Sequence, residues 1–218
     1  MEHINSEEIP PKQWLTPLRV IGALFLVLII VLINIPLSGI KIDPEPQNVP
    51  GLEIIPKDIE LADRISVEER QDFLRLINPA DPVIKQVADI IAAESCDSNK
   101  VCQAKAIFYF VRDNFDYVSD PTEFEYIKSA RESLISKAGD CDDAAILAAN
   151  LMEAIGINTQ FVFIPNHVYI QIYLPDALSK YKEKGGDWIN LDPTCESCKF
   201  GEIPYINAKA TKIILDKY

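Results

Sequence analysis

The chain has 218 residues, 33 acidic and 21 basic side chains, a formal charge of −12 and a pI near 4.6. Hydrophobic residues at 48 % supply a core and exclude wholesale disorder. An acidic chain without a basic block excludes a phosphate-backbone partner, so no nucleic acid is expected, and the absence of G-x-G-x-x-G or G-K-[ST] excludes a phosphate-cradling loop.

Taken in chain order, residues 1–19 form a short tail, and from Val20 to Ile40 no charge interrupts the chain. Roughly 21 residues make a helix of about 31 Å, matched to a hydrocarbon core of about 30 Å. The expectation is one uncleaved membrane span over 20–40. Arg19 and Lys41 bracket this run, and the basic residues around it are nearly balanced. The short tail and the cysteine pattern point to a single-pass protein with its C-terminal domain outside the cytoplasm. Pro44, Pro46, Pro50 and Pro56 mark 41–58 as an extended tether, leaving 59–218 as the soluble domain.

Helices come first in that domain. Asp81-Pro82 ahead of Val83, Val87, Ile90 and Ile91 gives an N-cap, a proline at N1 and an apolar stripe. A second helix is expected over Asn99–Asn114 and a third over 123–137. A fourth starts at Gly139-Asp-Cys141, runs through a stretch that is small or apolar almost all round, and closes at Gly156, the pattern of a helix buried on most sides. Strands follow. Phe161–Ile164 is a short apolar run, Pro165-Asn166 bends the chain, and Val168–Leu174 alternates, with His167, Tyr169, Gln171 and Tyr173 opposite the apolar set. Trp188–Asp192 alternates too, after a polar connection at 175–187. Helices followed by an antiparallel meander give an α+β domain.

Three residues could do chemistry together. Cys141 falls in the first turn of the buried helix, where free N–H groups and the helix dipole favour a thiolate and could hold an oxyanion. Asp142 and Asp143 oppose that thiolate electrostatically. His167 opens its strand, and the only other histidine is His3. Asp192 ends the next strand, so an antiparallel pair is expected to bring it level with His167 and on one face. A carboxylate there can fix the imidazole, as in a nucleophile–base–orienter triad. Alone, each residue also has an ordinary reading: a buried small thiol, a packed strand histidine, an Asp-Pro turn.

The order Gly-Asp-Cys-Asp-Asp-Ala, Asn-His-Val-Tyr-Ile-Gln-Ile-Tyr and Trp-Ile-Asn-Leu-Asp-Pro-Thr resembles the transglutaminase-like superfamily of papain-like thiol enzymes over roughly residues 104–195. The resemblance implies a papain/transglutaminase-like core with the catalytic helix packed on an antiparallel sheet. It implies Cys141 as nucleophile, His167 as general base and acid, and Asp192 as the residue that orients the histidine. Tyr169 and Gln171 stand where many members carry Trp and Glu. The expected activity is cleavage of an amide or peptide bond in a protein or peptide substrate through a thioester. The alternatives are a crosslinking transglutaminase and a non-catalytic tethered binding module. No cofactor is expected.

Cys96, Cys102, Cys195 and Cys198 form an even set around Cys141. Outside the cytosol they suggest disulfides, with local pairing one of three possibilities, and the competing arrangement is a structural zinc on all four thiolates.

Overall fold

The structure, a computed structural model, describes residues 15–34, 43–61, 65–121 and 126–217. It divides into two compact units, 1–41 and 42–218.

The first unit holds α1, Leu15–Asn34. It starts earlier than the expected span, because Pro17 is tolerated in a first turn whose N–H groups lack intrahelical partners. Arg19 therefore lies inside the helix, while residues 35–40 of the expected span lie outside the described residues. Among the described residues no helix is long and apolar enough to cross a membrane. The uninterrupted apolar run Val20–Ile33 measures about 21 Å as a helix, against a core of about 30 Å. Its large side chains, from Val20 to Ile33, are exposed.

In the second unit the expected tether is not free chain. Lys105, on α3 (Lys100–Asn114), is fully buried, and its ammonium donates at 2.6 Å to both Asp43 and Glu45. Asp43 also accepts from Lys180 and Tyr181. Burial works against the Asp43 charge, but these partners outweigh it and hold the carboxyl down to about 2. Gln47 N–H donates to Ser95 C=O, and Ile55 enters the core. A buried ammonium requires carboxylate partners, and the segment after residue 42 supplies them.

Helix α2, Pro82–Ser95, begins as expected, with Asp81 accepting from Val83 and Ile84 N–H. Asn99 caps α3 in the same way. Disulfides Cys96–Cys102 and Cys195–Cys198 take up the four paired cysteines. The first joins the end of α2 to the start of α3. The tetrathiolate alternative needs all four sulfurs reduced.

The helix expected over 123–137 is shorter. Residues 122–125 lie outside the described residues, and α4 covers only Ala130–Ser136. Ser129 and Glu132 form a capping box that fixes its start, and Lys137, at φ 56°, ends it. Upstream, Lys128 N–H is drawn away from helical pairing to the Asp143 carboxylate at 2.7 Å. Two short strands also went unforeseen: β1 (Asp116–Tyr117) pairs in parallel with β2 (Ala138–Gly139).

Helix α5, Cys141–Ala154, is the centre of the unit. It packs between α2–α4 and a four-stranded antiparallel sheet ordered β5-β4-β3-β6. Gly156, at φ 79°, lets the chain leave α5 in a Schellman turn, with Gly156 N–H on Glu153 C=O and Ile157 N–H on Met152 C=O. Strands β3 (Thr159–Ile164), β4 (His167–Tyr173) and β5 (Trp188–Leu191) form the expected meander. Pro165 and Asn166, the latter at φ 58°, make the two-residue turn between β3 and β4. After a single turn of helix (α6, Tyr205–Ala208), β6 (Ile213–Leu215) returns beside β3.

The middle of the sheet, across β3, β4 and β5, is buried on both faces. Phe161, Ile170 and Leu191 share the face toward the core. On the other face a buried ladder runs from Gln160 to Gln171 (2.5 Å), Gln171 to Asn190 (2.8 Å) and Asn190 to Glu183 (3.1 Å), with Lys212 donating to Glu183. The 175–187 connection, read as a polar loop, thus supplies a cap for the polar face, and Lys182 bridges to Ile189.

Candidate active site

Cys141, His167 and their neighbours line one open cleft of about 480 Å³. Its walls are Asp140–Asp142 at the start of α5, Phe163–His167 around the β3–β4 turn, Tyr117–Pro121 after β1, and Arg70 and Phe73 from a short 3₁₀ helix at 70–76. Cys141 is the free cysteine, and it is half-buried.

The start of α5 is pinned from several sides. The β1–β2 pair holds Gly139 immediately before it. A Cβ on Gly139 would lie 2.6 Å from the Asp143 Cβ, so only glycine allows this approach. From the middle of α5, buried Asn150 accepts from Asn78 N–H at 2.8 Å and donates to Leu76 C=O at 3.1 Å. That fixes the segment carrying Arg70 and Phe73 against the helix.

His167 Nε2 lies 2.8 Å from Asp192 Oδ2. The two residues are not level, as the strand ends suggested. The β4–β5 register pairs Ile170 with Leu191, so the next step sets Asp192 opposite Tyr169, and His167 is its diagonal neighbour on the same face. The long imidazole spans that diagonal. Asp192 is only 1 % exposed, and its other oxygen accepts from Thr194 Oγ1 at 2.7 Å and Thr194 N–H at 3.2 Å. Thr194 is a positioning residue that sequence reasoning missed; the visible signal was a hydroxyl two residues after an aspartate, the spacing of a local side-chain–backbone turn. Beyond it, the Cys195–Cys198 bridge closes the turn and Arg112 Nη1 donates to Cys198 C=O at 2.6 Å. With Nε2 committed to Asp192, Nδ1 is the other ring nitrogen.

The electrostatics follow from burial. Burial alone would lower the His167 pKa, but the hydrogen bond His167 donates to Asp192, then the Cys141 side chain, outweigh it and raise it to about 10. His167 is therefore an imidazolium at neutral pH. The two acidic residues after Cys141 are expected to oppose a thiolate, and both are disarmed. Burial, then the adjacent Asp140 carboxylate and Cys141, push the Asp142 carboxyl well above the ordinary carboxylate range. Asp143, 1 % exposed, is paired with the Lys128 ammonium, which is held above its ordinary value by that carboxylate against the opposing effect of burial.

Asp140, Asp142 and Asp143 have carboxylate oxygens within 4.8 Å of one another, the one such metal-ligand grouping among the described residues. The Lys128 ammonium, paired with Asp143, balances part of its charge.

A titration checks the histidine. Because the folded value is raised, the stability it contributes is complete below about pH 6.5, the free histidine value, and is lost as pH rises through about 10. NMR titration of the His167 ring is expected to give a midpoint near 10 in the parent chain. In Asp192→Asn the midpoint falls toward 6.5, and the loss of stability between those pH values shrinks with it. An unchanged midpoint in Asp192→Asn contradicts the assignment.

Solved structures match part of the chain at low identity. A candidate cysteine protease from Cytophaga hutchinsonii is 21 % identical with a TM-score of 0.42, over 60 % of this chain and 40 % of that one. Legionella pneumophila LapG in its calcium-bound form is 16 % identical with a TM-score of 0.42, over 63 % of this chain and 80 % of that one. The EGTA-treated form of LapG gives 17 % and 0.44, over 72 % and 88 %. This chain thus spans less than half the length of the Cytophaga protein. No curated protein matches it in sequence. Residues 85–193, half of the chain, match the transglutaminase-like superfamily, from within α2 through Asp192, and the chain belongs to that superfamily.

Proposed function

We propose that the protein is a thiol hydrolase that cleaves amide or peptide bonds through Cys141, His167 and Asp192. The observation that carries this reading is the 2.8 Å bond from buried Asp192 to a histidine sharing a solvent-open cleft with the free cysteine. A histidine in a purely packing role has no need of a fully desolvated carboxylate clamped by a threonine.

In the proposed reaction the Cys141 thiolate, paired with the His167 imidazolium, attacks the substrate carbonyl carbon and forms a C–S bond. The first-turn N–H groups of α5 stabilise the oxyanion. His167 then gives its proton to the departing amine as the C–N bond breaks, leaving a thioester. Water, deprotonated by His167, attacks the thioester and releases the acid, and the proton returns to the thiol–imidazole pair. An amine in place of water would give transamidation. Hydrolysis is preferred because the cleft is open to water.

The four other cysteines serve this site as disulfides rather than as a zinc centre, and the Cys195–Cys198 bridge steadies the turn that carries Asp192. We also read the N-terminal segment as a membrane anchor, on the charge-free run Val20–Ile40 and the exposed apolar side chains of α1, with the domain outside the cytoplasm. The anchor needs the helix to continue past Asn34.

Incubation of the full chain with a peptide mixture, followed by mass spectrometry, tests the reaction. The expected result is product termini carrying one oxygen from H₂¹⁸O, with turnover reduced by at least about 10³-fold in Cys141→Ala and His167→Ala. Predominant incorporation of an added primary amine selects the transamidase, and turnover that survives Cys141→Ala overturns the thiol mechanism. For the anchor, the protein is expected to stay with membranes at alkaline pH. Release into the supernatant contradicts it.

A further inference from the structure

Arg70 borders two grooves at once. It lines the cleft that holds Cys141 and His167, and it also lines a second groove of about 500 Å³, formed by Glu68–Gln71 and all of β6. Its guanidinium lies 5.5 Å from the centre of the Phe163 ring, and Phe163 in turn packs edge-on against Phe73 at 5.0 Å. Among the described residues Arg70 has no carboxylate partner, although the chain carries 33 acidic side chains. The 3₁₀ helix that carries it is held to α5 through Asn150, so the charge sits on a fixed support.

We infer that Arg70 is a specificity-determining residue that reads an acidic side chain in an extended peptide lying from Cys141 across the Phe73–Phe163 shelf toward β6. This rests on the thiol-enzyme reading for what happens to the peptide, and on the geometry alone for its recognition. The shelf takes a large apolar side chain, because Phe163 is only partly buried and Phe73 supports it from beneath. The guanidinium at the edge of the shelf offers a paired donor fork to a carboxylate. Beyond Arg70 the groove turns acidic at Glu68 and Glu69, which repel a second carboxylate and confine the preference to one position. β6 ends the sheet order β5-β4-β3-β6, and Ile213 and Ile214 are about half exposed, at 49 % and 52 %. An extended chain can continue along that strand.

The test uses the full chain carrying Cys141→Ala, so that bound peptides are not consumed, and a display library of random 12-residue peptides. Selected peptides are expected to share one Asp or Glu next to a large apolar residue. In Arg70→Glu that position is expected to switch to Lys or Arg, with binding of the original peptides weakened at least about tenfold. Arg70→Lys is expected to keep the preference for an acidic residue but to bind the same peptides more weakly than the parent, because an ammonium lacks the donor fork, and a merely structural residue would not hold that charge preference. Selection of the same peptides by Arg70→Glu, or failure to enrich any peptide, overturns the inference. The selected peptides are then given to the chain with Cys141 intact. If they bind through Arg70 but are not cleaved, the thiol-hydrolase reading fails while the recognition stands.

Discussion

Burying a carboxylate is unfavourable unless each oxygen finds a donor, and Asp192 meets that demand in one way only. One oxygen takes the His167 ring and the other takes both donors of Thr194. Much of the domain can be understood as support for this arrangement. The β4–β5 register puts the two residues on one face at a diagonal, the two-residue Pro165-Asn166 turn starts β4 at the histidine, and the Cys195–Cys198 bridge with Arg112 holds the chain just beyond the aspartate. Removing any of these leaves a buried charge without its geometry, which is costlier than losing one surface hydrogen bond.

The same accounting governs the helix that carries Cys141. Three acidic residues crowd its start, Asp140 at the N-cap and Asp142 and Asp143 in the first turn, a composition that by charge alone would discourage a thiolate. Burial changes the balance, since desolvation raises the Asp142 pKa and the desolvated Asp143 recruits Lys128. The helix terminus and the imidazolium beside the sulfur favour negative charge there, against the buried Asp140 carboxylate. The Asp143–Lys128 pair also explains why α4 begins late, because the backbone of residue 128 is already committed to that carboxylate. One ion pair thus shapes both the electrostatics of the site and a helix boundary.

Local chemistry was legible in the sequence, and long-range partnership was not. Asp81, Asn99 and Gly156 announce the ends of α2, α3 and α5 through capping, which needs only neighbouring residues. Alternation marks β4 and β5, and the spacing of Gly139-Asp-Cys141, His167 and Asp192 brings the candidate site together. The proline-rich 41–58 segment reads as tether because nothing nearby shows that Lys105, more than forty residues on, is buried and needs its carboxylates. Three-residue β6 and the two-residue β1 and β2 are too short for periodicity to detect. The diagonal rather than level placement of Asp192 depends on a register that strand ends alone do not specify. Likewise, Asn150 looks like one polar residue on an apolar helix until its partners at 76 and 78 are seen.

The central claim is that Cys141 and His167 form one reactive pair, and the pH dependence of Cys141 alkylation tests it most directly. Iodoacetamide labelling of the unreduced full chain, read by mass spectrometry across about pH 5–9, brackets the ordinary thiol and imidazole titrations. The account predicts rapid labelling of Cys141 alone near about pH 6, no labelling of the four bridged cysteines, and loss of the low-pH reactivity in His167→Ala. Labelling that rises only with an ordinary thiol profile, unchanged by His167→Ala, would contradict it.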